Sequence, residues 1–217
     1  MPTVAHIVEH IVKERPLLQE AIIEDIVNYA SVAENIKPDI ERMLEKKVKI
    51  SAIVMALRRT AEKIRSKAPR AKFDYNSEIF MKTNVCDIGV LKSPSFFSKL
   101  SKIYSIVDYE KGDSLNIIQG NYEVSIIANE KFADRIEKTL EGEKIVRKDK
   151  GLVIVGLNFP KEYVDQPGVI ATITRKLAWN GVNILEVIST FKELNFVVSK
   201  KDATKAYDAL NELIDGK

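Results

Sequence analysis

The sequence predicts an α+β protein, with an all-helical front end over residues 1–67, a linker over 68–77, and two βαββαβ units in tandem over 78–149 and 150–217. Three observations carry this. Apolar residues recur at helical spacing through the first 67 positions, and strand-like runs begin only afterwards. Strand, helix, strand, strand, helix, strand is then legible twice in succession. The two copies also lie over each other: SPSFFSKL (93–100) matches QPGVIATI (166–173), with Pro94 on Pro167, and EVSIIANEKFA (123–133) matches ELNFVVSKKDA (193–203), with Glu123 on Glu193. Two offsets that agree within a few residues argue for an internal repeat.

In the front end, VAHIVEHIV places Val4, Ile7, Val8, Ile11 and Val12 on one helical face, and Pro16 is read as its stop. Leu17–Val27 is a second amphipathic segment. Asn28 and Ser31 are N-cap types before a short third helix, VAENI. Pro38 fits the first turn of a fourth, PDIERMLEKKV, and Ser51 is read as the cap of AIVMALRRTAEKI, with Ile53, Ala56, Leu57 and Ile64 as its stripe. In the first repeat, EIFMKTNV is a strand, PSFFSKLSKIYSIV a helix, SLNIIQ and YEVSIIA strands joined at Gly120-Asn121, KFADRIEKTL a helix and EKIVRK extended. In the second, LVIVGLNF, VNILEVIST and LNFVVSK are strands, with PGVIATITRKLAW and ATKAYDALNELI the helices. That copy lacks a last strand, which the stretch around Lys72–Phe80 or a partner chain would supply. Asn180-Gly181 reads as a helix stop, and Trp179 beside it as packing.

Pro167 and Gly168 stand where the second copy's first helix should begin. Proline in a first helical turn loses nothing, because its missing N–H has no intrahelical partner. The N–H groups of Gly168, Val169 and Ile170 are then free at the positive end of the helix dipole, and glycine leaves them open. A carboxylate is the natural guest. Asp165 either caps the helix or accepts from an ammonium group. A ligand needing both contacts is an α-amino acid.

On the stretches DQPGVIATI (165–173), LAWNGVNILEVIST (177–190) and LNFVVSKKDATKAYDALNEL (194–213), the second copy resembles an ACT domain, with the ferredoxin-like fold. The pair of copies resembles the tandem regulatory region of aspartate kinases. The resemblance implies a non-catalytic sensor of an amino-acid effector, allosteric, without cofactor or metal, assembled as a homodimer or higher homo-oligomer through the repeats. It implies ligand contacts at Asp165, Gln166, Pro167, Gly168, Val169 and Ile170, with Asn183 and Ile184 from the following strand. In the first copy Ser95 replaces the glycine, and Phe96 and Phe97 follow, so that copy is read as structural.

The formal charge of +3 is unevenly spread: residues 1–45 stand at −5, and residues 46–72 at +9. Lys46, Lys47, Lys49, Arg58, Arg59 and Lys63 lie in the basic block. With the run of short helices they suggest a helix-turn-helix-like unit contacting DNA phosphates, as in transcription regulation. The alternative output is docking on a separate enzyme of amino-acid metabolism, without DNA. His6, Glu9 and His10 in HIVEH match a zinc-protease pattern, which is set aside for want of a third ligand. No phosphate-binding or dinucleotide glycine motif is present, and no nucleophile has a histidine in reach. One cysteine, the absence of a secretory leader and the lack of a membrane-length apolar run place the chain in the cytoplasm, away from any membrane.

Overall fold

The computed structural model describes residues 2–66, 77–160 and 166–215. They fall into two compact units, residues 1–70 and 71–217.

The first unit has four helices: α1 (Val4–Lys13), α2 (Pro16–Ile23), α3 (Tyr29–Leu44) and α4 (Ile50–Arg65). Ile7, Val8, Ile11 and Val12 of α1 are buried against Ile36 and Ile40 of α3 and Ile53, Ala56 and Leu57 of α4. Pro16 opens α2 at its first position instead of merely ending α1. The two short helices expected over 29–48 are one. Pro38 sits inside α3, because Ala33, Ile36 and Ile40 carry a buried stripe straight through it. An internal proline costs about 3 kcal/mol, whereas burying two isoleucines returns about 3–6 kcal/mol. Ser51 is not a cap: α4 is already helical at Ile50, after Lys49. Asn28 does cap α3, accepting from the Ala30 and Ser31 N–H groups at 3.1 and 3.2 Å. Asn28→Ala should therefore cost about 1 kcal/mol in urea unfolding.

The second unit is a six-stranded antiparallel sheet with four helices: β1 (Glu78–Leu91), α5 (Pro94–Tyr104), β2 (Leu115–Gln119), β3 (Glu123–Asn129), α6 (Ala133–Thr139), β4 (Ile145–Asn158), α7 (Val169–Trp179), β5 (Ile184–Ser189), β6 (Glu193–Ser199) and α8 (Ala203–Ile214). The strand order is β2-β3-β1-β4-β6-β5. Both central strands have 14 residues and serve both repeats. Val85–Leu91 of β1 pairs with β3, and Leu152–Asn158 of β4 pairs with β6. The strand the second copy lacks is supplied by Glu78–Lys82, which runs antiparallel to Asn158–Ile154.

Two apolar cores lie under the helix pairs, one around Phe96 and Ile126 and one around Ile173 and Phe196. Cys86 is buried in the first of them. A third cluster joins Val85, Ile127, Leu152, Ile154, Ile188 and Val197 on the helix-free side. In a flat sheet β3 and β5 would stand four strand spacings apart, about 19 Å. Yet the Ser125 hydroxyl on β3 donates to Glu186 Oε1 on β5 at 2.9 Å. The sheet is therefore folded, with its two helix-free halves face to face. The β1–β4 register shifts between Lys82 and Val85, where Asn84 takes a left-handed φ of 55°, as expected of a bulge that bends paired strands.

Candidate functional site

Helix α7 begins at Val169, two residues later than a proline at the first helical position implies. Gly168 is its N-cap, with φ 93° and ψ −8°, and Pro167 precedes the cap. The left-handed conformation suits glycine. Its carbonyl accepts from the Thr172 N–H at 2.9 Å, the first bond of the helix. The N–H groups of Val169, Ile170 and Ala171 thus have no intrahelical partner, and among the described residues nothing caps them.

These donors open into a cleft of about 250 Å³. Gln166, Gly168, Val169, Ile170 and Ala171 form its helix side. Phe159, Leu194 and the β5–β6 turn, with Ser189, Thr190, Phe191 and Glu193, form the other walls. The volume lies below the range of about 300–1,000 Å³ usual for drug-sized ligands, which fits a smaller guest. Apolar walls, with bare donors on one side and Glu193 among the lining residues, suit a small zwitterion. Asp165 lies outside the described residues. Pro167 does not line the cleft, and neither do Asn183 and Ile184. The reason for the last two is chain direction. They follow the C-terminal end of α7, and β5 then runs about 17 Å before reaching Ser189. The turn residues that do contribute were missed, although following β5 to its far end would have found them.

The equivalent opening in the first repeat is filled. Ser93 accepts from the Phe96 N–H at 2.9 Å and donates to Glu143 Oε2 at 2.6 Å, and Lys99 pairs with Glu143 at 2.8 Å. The Lys99 ammonium, with the Ser93 hydroxyl, holds the Glu143 carboxyl down to about 2. A self-made carboxylate, rather than phenylalanine bulk, occupies the helix start; Phe96 is buried beneath it and Phe97 is exposed. Trp179, read as packing, is 79% exposed.

In the helical unit six basic residues are ion-paired: Lys13 and Lys63 with Glu9, Arg15 and Arg42 with Asp39, Lys37 with Glu41, and Arg65 with Asp25. Lys46, Lys47, Lys49, Arg58 and Arg59 are exposed and make no ion pair among the described residues. Lys63 thus differs from the residues it was grouped with. The opening of α4 also departs from its apolar sequence, since Ser51, Ala52 and Met55 face solvent. Among the described residues no helix is long and apolar enough to cross a membrane, and no group of His, Cys, Asp or Glu is placed to hold a metal.

Comparison with known proteins matches residues 149–212 to the ACT domain family. No curated protein sequence matches the chain. Among solved structures, the ligand-free regulatory subunit of aspartate kinase from Thermus thermophilus is similar at 17% identity and TM-score 0.50, over 62% of this chain and 95% of that one. Aspartate kinase from Clostridium acetobutylicum is similar at 20% identity and TM-score 0.53, over 64% of this chain and 34% of that one. Aspartate kinase from Synechocystis is similar at 16% identity and TM-score 0.54, over 67% and 28% respectively. Residues 149–212 are thus an ACT domain, one of two ACT-like units that share a sheet in a fold resembling the regulatory region of aspartate kinases, behind an N-terminal helical unit.

Proposed function

We propose that this chain is a non-catalytic cytoplasmic regulator that holds a small amino-acid effector in its second ACT unit and docks on a separate enzyme of amino-acid metabolism. The observation that carries this is the uncapped start of α7 opening into an apolar-walled cleft. The effector carboxylate sits on the Val169, Ile170 and Ala171 N–H groups, where the helix dipole favours negative charge. Its ammonium faces Glu193 or Asp165, with Gln166 at the rim and Val169 and Phe191 against its side chain. Pro167 and Gly168 shape the turn that keeps the donors open. Effector binding then shifts the population of conformations, by as much as its affinity differs between them.

Docking on a protein is preferred over DNA because a similar solved structure is a regulatory subunit of aspartate kinase, and the basic excess at 46–72 is opposed by a charge of −5 over residues 1–45. The five cations that make no ion pair among the described residues favour a second reading, in which the α3–α4 loop and the outer face of α4 contact DNA phosphates. Retention of duplex DNA at low salt, lost when Arg58 and Arg59 become glutamate, would move the assignment to that reading. Homo-oligomers through the ACT units belong to the same proposal.

The test is a thermal-shift panel of the twenty amino acids. An effector present at 100 times its Kd should add about 2.7 kcal/mol of stability. Gly168→Asp should abolish the shift, because an aspartate at the N-cap occupies the same donors itself. No shift with any amino acid, or an undiminished shift in that variant, would remove the effector reading.

A further inference from the structure

Strand β5 carries an irregularity with a directional effect. Ile184 pairs with Val198, but Glu186, not Leu185, pairs with Val197. One extra residue in a strand turns every following side chain to the other face. Without the bulge Glu186 would lie opposite Phe196, in the core under the helices. With it, Glu186 shares the face of Val197 and Ile188, toward the other half of the folded sheet. There Arg147 Nη2 on β4 donates to Glu186 Oε1 at 2.5 Å and to Asp87 Oδ2 on β1. Ser125 on β3 donates to the same Glu186 oxygen, and Asp149 on β4 stands 3.5 Å from Arg147 Nε.

This cluster bridges the repeats. Asp87, Ser125 and Arg147 belong to the first, and Glu186 to the second. Glu186 is also three residues from Ser189, where β5 becomes a wall of the cleft, and Ile188 between them packs in the shared apolar cluster. The Asp87 side chain is 1% exposed, and its Oδ1 has no hydrogen-bond partner among the described residues. One guanidinium therefore faces three carboxylates at a single junction.

We infer that Arg147 and Glu186 are positioning residues that couple the β5–β6 turn of the second repeat to β3 of the first. The bulge aims Glu186 across the fold, Arg147 receives it, and a displacement of β5 at its cleft end reaches the first repeat through this contact. Its final step, transmission of effector occupancy, rests on the cleft being an effector site; the coupling itself does not.

Hydrogen exchange on the full-length protein tests it. Glu186→Gln and Arg147→Met should each lower protection of both the 189–193 turn and Ser125–Ile127 by about tenfold, as loss of a charged hydrogen bond implies. The double variant should be no worse than Arg147→Met alone, since that variant already removes the contact Glu186→Gln breaks. Arg147→Lys should recover part of the loss, and it replaces Arg147→Met should that variant fail to fold. An unchanged turn in the Arg147 variants, or additive losses in the double variant, would overturn the coupling. In a second arm, any amino acid that raises Tm should raise protection of β3 in the parent but not in Glu186→Gln. A panel without a hit counts against the effector reading alone, because the first arm decides the contact without a ligand.

Discussion

Gly156→Ala is expected to destabilise the two-repeat unit by about 3 kcal/mol, the upper part of the range for overpacking a filled site, and to lower its Tm by roughly 10 °C. Gly156 lies mid-strand in β4, directly between Phe80 on β1 and Asn195 on β6. A Cβ built there would stand 2.2 Å from the Phe80 ring and 2.2 Å from Asn195 Oδ1. Neither neighbour has room to retreat, since Asn195 is buried and Phe80 packs against the cluster between the sheet halves. Phe80→Ala should offset part of the cost, giving a double variant less damaged than the sum of the two. Urea and thermal unfolding measure both effects, and a loss below about 1 kcal/mol for Gly156→Ala would contradict this packing.

Asp87→Asn is expected to flatten the dependence of stability on pH. Burial, with Glu186 and Asp149 adding to it and Arg147 opposing, pushes the Asp87 carboxyl up to about 6 from its ordinary 3.8. Asp87 therefore holds its proton more tightly folded than unfolded. Its contribution is most favourable below about pH 4 and declines as pH rises through about 6, by at most about 3 kcal/mol. Glu143 acts in the opposite sense. Its carboxyl is depressed to about 2, so its support is present above about 4.5 and fades as pH falls toward 2. Urea unfolding of the parent and of Asp87→Asn between pH 4.5 and 7.5 isolates the first effect. The stability of the parent relative to the variant should fall as pH rises to about 6 and level off above it. A constant difference would mean that Asp87 is ionised throughout.

Much of this architecture was legible because each repeat follows local rules. The Pro94/Pro167 and Glu123/Glu193 offsets located both copies, and Asn28 marked a helix start by its side chain alone. Errors arose where a distant contact outweighed a local preference. Pro38 was read as a boundary, but the buried Ile36 and Ile40 carry α3 through it. Pro167 and Gly168 pointed to the uncapped helix, whereas Asn183 and Ile184, placed by family resemblance, stand at the end of β5 away from the cleft. Ser189, Thr190 and Phe191 carry no motif of their own, and only tracing β5 to its far end, where the chain returns beside α7, marks them as a wall. The bulge at Leu185 likewise has no signature in its own residues: ILEVIS reads as an ordinary strand.

The two 14-residue strands have a consequence for how this chain can be divided. A cut between residues 149 and 150 falls in the middle of β4, and one near residue 83 severs β1. A fragment starting at residue 150 would lose the borrowed partner Glu78–Lys82 and bare a long apolar edge, ready to join another copy of itself. Because each half completes the other's sheet, the two repeats should melt together in one step, and a nick in either long strand should unfold both.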